Sequence, residues 1–190
     1  MNTHRYQSLL LGIILLSIFT HSCKDNTSPE NQKIKACSFN IRFDNPGDGY
    51  NRWENRREDV VTFLKIEQPE LIGMQEALLN QLEYIEAELP KYSRVGIGRD
   101  DGEEAGEFSP ILFKNERFKL NSTGTFWLSE TPEKPSIGWD AQIKRICTYA
   151  FLTDRKTGHA VHVYNSHFSH VGVQSRYRSA QLIMDSIQAK

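Results

Sequence analysis

Between Lys33 and Pro90 the chain alternates twice between a short apolar run and a longer amphipathic one, and this alternation restricts its fold more than any other feature. Lys33 to Ile41 has the period of a strand, with Cys37, Phe39 and Ile41 on one face. Asp44-Asn45-Pro46-Gly47-Asp48-Gly49 has the composition of a loop. Trp53 to Glu67 has helical spacing, with Val60, Phe63, Leu64 and Glu67 three and four residues apart and Pro69 just beyond. Glu70 to Met74 is a short, largely apolar strand, and Leu78 to Leu89 is a second helix (apolar at Leu78, Leu82, Ile85 and Leu89) stopped by Pro90. Strands are then predicted at Tyr92–Ile97, Pro110–Phe113, Phe118–Leu128, Arg145–Thr153 and Ala160–Asn165, and a closing helix at Val173–Gln188. Strand and helix in alternation, followed mostly by strands, predict an α/β layered sandwich whose sheets mix parallel and antiparallel pairs.

Two long irregular segments interrupt the strands: Gly98 to Gly106, acidic and glycine-rich, and Ser129 to Asp140, with Pro132, Pro135 and Gly138. Loops of such length in a compact domain are usually functional or mobile. The 190 residues are 38% hydrophobic, too apolar for disorder and enough for one domain with a sizeable core. With 23 basic and 24 acidic residues the chain gives no strong sign of coating long nucleic acid, although a small phosphorylated substrate needs only a few local cations. Three cysteines far apart form neither a disulfide framework nor a zinc pattern, and Cys37 and Cys147, both in predicted strands, are expected to be buried free thiols.

The N-terminus has the pattern of a targeting segment. His4 and Arg5 precede the apolar run Leu9 to Phe19, eleven residues where a helix crossing a bilayer needs about 20. That length fits the central region of a secretory signal. A small residue, Ser22, before a single Cys23 resembles a bacterial lipoprotein cleavage site, and Lys24-Asp25 resembles the export tether of some Gram-negative surface lipoproteins. The expected organisation is a lipoprotein-type signal peptide over 1–22, lipidation at Cys23, a flexible tether over 23–32 and a folded domain over 33–190. A plain cleaved signal or an uncleaved anchor is the alternative. Either way the expected location is the cell envelope, for the lipoprotein as a membrane-anchored protein of a Gram-negative-type bacterium.

Four segments place polar groups at strand ends. They are Ser38-Phe39-Asn40-Ile41-Arg42, Gly73-Met74-Gln75-Glu76, Lys144-Arg145-Ile146-Cys147-Thr148-Tyr149 and Asn165-Ser166-His167-Phe168-Ser169-His170. Carboxylate and amide oxygens at neighbouring strand ends suit a hard cation such as Mg²⁺, which keeps several waters. An arginine offers a planar fork to phosphate, and a histidine offers a hydrogen bond or a proton. Each residue also has an ordinary explanation. Asn40 can be a turn residue, Glu76 a solvated or helix-capping acid and Arg145 a surface cation, and His167 and His170 can be hydrogen-bonded structural histidines. From the residues alone the inference stops at a phosphate or metal site.

Taken in order, these segments resemble the endonuclease/exonuclease/phosphatase superfamily, whose fold is the DNase I-like sandwich. Ser-Phe-Asn-Ile-Arg (38–42), Pro-Glu-Leu-Ile-Gly-Met-Gln-Glu (69–76) and Asn-Ser-His-Phe-Ser-His (165–170) look like its early motifs. Gly-Ile-Gly-Arg-Asp-Asp-Gly (96–102), Thr-Phe-Trp-Leu-Ser-Glu-Thr-Pro (125–132) and Arg-Ile-Cys-Thr-Tyr-Ala (145–150) resemble a branch found among secreted bacterial proteins. The resemblance implies two mixed sheets flanked by helices and a Mg²⁺- or Mn²⁺-dependent phosphoesterase. In that reading Glu76 binds metal beside Asn40, His167 contacts the scissile phosphate, and Arg145 and His170 bind substrate. Water attacks phosphorus in line with the leaving oxygen. A small or sugar-linked phosphate ester is the expected substrate.

Ser169 departs from the aspartate usual in that branch, which bears on contacts near His170. Nothing in the sequence matches the superfamily's later Gly-Asp-Phe-Asn-like and Asp-His motifs. The resemblance therefore implies the N-terminal part of such an enzyme, with apolar surface left exposed and this length of chain inactive. A non-catalytic envelope protein is the alternative, with Phe126, Trp127 and Trp139 as a glycan-stacking surface or simply as core and loop-anchoring aromatics.

Overall fold

The computed structural model describes residues 33–189. The expected signal peptide, Cys23 and the tether lie outside the described residues. All ten expected segments recur, the seven strands as β1 (Ala36–Asn40), β2 (Leu71–Gln75), β3 (Tyr92–Val95), β4 (Ile111–Lys114), β5 (Phe118–Trp127), β6 (Ile146–Asp154) and β7 (Ala160–Ser166), and the first helix as α1 (Trp53–Glu67). The remaining helices are α2 (Leu79–Glu88) and α3 (Val173–Gln188). One sheet has the order β1-β2-β4-β3, with β1 and β2 parallel and the other pairs antiparallel. The second is the antiparallel meander β5-β6-β7, so the parallel pairing is confined to the first sheet.

Two apolar clusters make the layers. Val60, Val61 and Leu64 of α1 and Leu82 and Ile85 of α2 pack on Ile72 and Met74 of β2, covering one face of the first sheet. Leu71, Ile111 and Phe113 meet Phe118, Ala150 and Leu152 between the two sheets. Phe63, expected in the core, is 42% exposed and lies edge-on to Phe39, while Val61 takes the buried position. Glu67 is exposed and pairs with Lys35. Asp44–Gly49, expected as a loop, leads into a 3-10 turn over Pro46–Asn51, because Asn45 caps it by accepting from the Gly47 N–H and Pro46 opens it. Cys147 is buried and free, with burial pushing its thiol up to about 12, whereas Cys37 is only half-buried.

Polar stitches fix how the layers meet. Asn165 of β7 donates Nδ2 to the carbonyls of Met74 (2.6 Å) and Pro110 (2.8 Å) and accepts from Gln75 Nε2 (2.7 Å). Gly73 makes this approach possible, since a Cβ there would stand 2.8 Å from Asn165 Oδ1. At the opposite end of the strands Arg117 reaches Asp154 (2.7 Å) and Glu70 (3.2 Å). The loop Ser129–Asp140 closes over the end of β5, with Trp127 N–H on the Pro132 carbonyl and the Trp139 N–H on the Glu130 carboxylate. Asp140 caps α3 by accepting from the Gln174 and Ser175 N–H groups. Ser169 accepts from the Gly172 N–H, a contact within the loop. α3 buries Ser175 and Ser179 and leaves Val173, Tyr177 and Met184 exposed.

Candidate active site

β1 and β2 run parallel, with Asn40 opposite Gln75 in the register, so both chains leave the sheet at the same end. Immediately after them Arg42 and Glu76 adopt left-handed backbone, at φ 58 and 62. Non-glycine residues rarely hold this conformation unless their surroundings over-determine it, and such positions concentrate at functional sites. The surroundings here are specific. Gln81, fully buried on α2, donates Nε2 to the Arg42 carbonyl and accepts from the Asp44 and Leu78 N–H groups. Arg56 of α1 donates to the Ile41 and Arg42 carbonyls.

These contacts direct the Glu76 carboxylate into a cleft of about 220 Å³ lined by Arg42, Glu76, Glu107, Arg145, His167 and His170, among others. Asn40 Nδ2 donates to Glu76 Oε1 (2.9 Å), and Asn40 Oδ1 accepts from the Arg42 N–H (3.0 Å). The Phe43 N–H points at Glu76 Oε2 (3.4 Å), and Arg42 Nη1 lies 3.9 Å from it. Burial pushes the Glu76 carboxyl up, but the bonds from Asn40 and Phe43 and the charges of His167 and Arg42 outweigh it and leave it below its ordinary value. The group is a carboxylate at neutral pH.

His167 follows β7 and Arg145 precedes β6, so the antiparallel pairing of these strands brings both to the end where Glu76 lies. Arg145 is 4% exposed and donates Nη2 to His170 Nδ1 (3.3 Å). Its Nε and the Nδ1 of His167 are buried with no partner among the described residues. Burial lowers the affinity of both groups for a proton, and Arg99 nearby adds repulsion to each. For His167 the charge of Arg145 acts in the same direction. The five residues singled out in the folded domain, Asn40, Glu76, Arg145, His167 and His170, therefore share one site.

Among the described residues no cluster of three or more histidine, cysteine or carboxylate side chains could hold a metal. One carboxylate nevertheless fits Mg²⁺, which commonly takes one or two protein carboxylates and fills its remaining positions with water and substrate phosphate. Glu76 is that ligand candidate. Asn40, with its NH₂ on Glu76 and its oxygen on a backbone N–H, aligns the carboxylate in this arrangement. Residues that sequence reasoning missed are Gln81 and Arg56, which hold the strained turn, Arg42 and Glu107, which line the cleft, and Arg99, which lines an adjoining crevice with Glu107, Arg145 and His167. Trp127 is 4% exposed and donates Nε1 to the Arg99 carbonyl (2.8 Å), which makes it a loop anchor and removes it from any stacking surface.

A crystal structure of an endonuclease/exonuclease/phosphatase from Bacteroides vulgatus superposes with a TM-score of 0.81 at 41% identity, over 82% of this chain and 60% of that one. The chain belongs to the endonuclease/exonuclease/phosphatase superfamily. A second superfamily structure, the mannosyl-6-phosphatase of Bacteroides thetaiotaomicron, matches with a TM-score of 0.80 at 34% identity, over 83% of this chain and 60% of that one. An uncharacterised protein of Acanthamoeba polyphaga mimivirus is 28% identical over 145 residues, covering 72% of this chain and 53% of that one. No protein-family model matches. The chain thus spans about three-fifths of the length of the superfamily structures it matches.

Proposed function

We infer that the cleft belongs to a Mg²⁺-dependent phosphoesterase that hydrolyses a small, sugar-linked phosphate ester. The observation that carries this reading is the convergence of Glu76, Arg145 and His167 on one cleft. A carboxylate, an arginine without a carboxylate partner among the described residues and a buried neutral imidazole make a set suited to phosphoryl transfer, where catalysis is mainly positioning and charge stabilisation. The mannosyl-6-phosphatase among the structural matches supports the choice of a sugar phosphate. Bound Mg²⁺ supplies Lewis-acid polarisation of a phosphoryl oxygen. Arg145 binds phosphate oxygens through its buried fork, and His167 donates a hydrogen bond to the phosphoryl group. Asn40 and Phe43 hold Glu76 ionised and aimed. Lipidation at Cys23 would place this activity at the bacterial envelope, and Cys23→Ala should then release the protein from the membrane fraction. Retention of that variant at the membrane would rule out the lipid anchor.

The pH profile tests the role of His167. Its folded proton affinity lies below the ordinary 6.5, so the neutral form persists into mildly acidic solution and is lost only as pH falls further. Hydrolysis of mannose 6-phosphate with Mg²⁺ by the protein from its native host is expected to show an acid limb below pH 6.5, absent in His167→Gln. An acid limb at or above that value would count against a neutral imidazole donor. Loss of no activity on removing Mg²⁺ would overturn the metal dependence.

A further inference from the structure

Three guanidinium groups line the cleft region, and two of them are already paired. Arg42 is held by both oxygens of Asp48, at 2.9 Å each. Arg99 gives Nη1 and Nη2 to the two oxygens of Glu107, at 2.8 and 2.9 Å. Arg145 has no carboxylate within ion-pair distance among the described residues, and its Nε–H is buried without a partner there. A buried guanidinium donor left open is costly unless an anion completes it. Arg145 is therefore the seat for one phosphate.

Glu107 stands beside that seat, lining the same cleft as Arg145 and His167 while it occupies Arg99. The loop that carries Arg99 is fixed independently of this ion pair. Its backbone bonds run from Arg99 N to the Glu107 carbonyl and from Asp100 N to the Ala105 carbonyl. Trp127 Nε1 and Lys144 Nζ hold the Arg99 and Asp100 carbonyls. Neutralising Glu107 would thus leave the Arg99 backbone in place and free its guanidinium next to the phosphate seat.

We propose that Glu107 sets the charge of the substrate: by engaging Arg99 it leaves a single open guanidinium, and its own charge turns away a second phosphate. The cleft then selects a singly phosphorylated small molecule over a diphosphate or a polyanion, a case of specificity obtained by repulsion as well as attraction. This rests on reading the cleft as a phosphate ester site.

Calorimetric titration of the full chain with inorganic phosphate and with pyrophosphate tests it. In the unmodified chain pyrophosphate, despite its greater charge, should bind no tighter than phosphate. Glu107→Gln should bind pyrophosphate about tenfold or more tighter than the unmodified chain, the worth of one added charged hydrogen bond. The double variant Arg99→Gln/Glu107→Gln should lose that gain, and Glu107→Asp, which keeps the charge, should stay near the unmodified affinity. Tighter pyrophosphate than phosphate binding by the unmodified chain overturns the proposal without any variant. So do an unchanged or weakened Glu107→Gln, a gain that survives in the double variant, or no binding of either anion. The titrations involve no scissile ester, so their failure and a failure of hydrolysis are separate results.

Discussion

His167→Gln is expected to lower kcat/KM for phosphate ester hydrolysis by on the order of 10²–10⁴-fold while leaving the melting temperature unchanged within a degree or two. The imidazole sits in the cleft with Nδ1 buried and unpartnered among the described residues, so its removal takes away a donor without breaking a contact that supports the fold. Glu76→Gln is expected to cost at least about a hundredfold, since it removes the carboxylate that would hold the cation and leaves an amide facing Asn40 Nδ2. Both variants act on one reaction, so the double variant should be scarcely slower than the worse of the two. The measurement is Mg²⁺-dependent turnover by the protein as its native host makes it, alongside thermal melts of each variant. Retained activity in both variants would sink the site assignment. Loss of activity together with a collapse in melting temperature would show the residues to be structural.

Why these residues were legible in the sequence, and their neighbours were not, follows from the range of the interactions involved. α1 begins and ends at Trp53 and Glu67, as expected, because its limits are set locally by helical spacing and by Pro69. Glu76 and His167 stand out because each directly follows a strand, and only the resemblance of the surrounding segments gives them roles. Phe63 was placed inside because spacing alone cannot say where a helix's buried stripe is centred. Val61 and Val60 fill the space over Met74 and leave Phe63 at the rim beside Phe39. Gln81 is the clearest omission. It occurs in a helix as an ordinary polar residue that caps its own first turn at the Leu78 N–H, and only the approach of the 42–44 turn to α2 gives it its other two backbone partners. Glu107 and Arg99 are eight residues apart across an irregular loop, with no periodicity to relate them. Trp127 fits a core or anchoring position better than a stacking surface on its sequence alone, and its indole N–H bond to Arg99 bears out the anchor.

Asp154→Ala is expected to be the most damaging single change to stability, although it lies at the end of the sandwich opposite the cleft. Asp154 and Arg117 are each 2% exposed at the side chain and 2.7 Å apart, and Arg117 also reaches Glu70, joining the start of β5 and the end of β6 to the segment before β2. Asp154 in addition accepts from the Lys156 N–H and the Thr157 hydroxyl, which shape the turn into β7. Truncating it removes the fully buried carboxylate from a buried guanidinium that keeps the more exposed Glu70 as a counter-charge, and breaking a buried pair typically costs about 3–5 kcal/mol. For a domain of this size that corresponds to a fall in Tm of about 6–20 °C. Burial pushes the Asp154 carboxyl up, but Arg117 and the neighbouring donors outweigh it and hold it below its ordinary 3.8. A carboxyl with a depressed folded value stabilises fully above its unfolded value and loses that contribution as pH falls through the folded one. The unmodified chain should therefore lose stability below about pH 4 more steeply than Asp154→Ala does. The double change Arg117→Met/Asp154→Leu should recover most of the loss, because an apolar pair of similar volume avoids burying charge. Thermal melts of the two variants beside the unmodified chain decide the matter. A fall of less than about 2 °C for Asp154→Ala would mean that water reaches the pair and that the two sheets are held at this end by apolar contact alone.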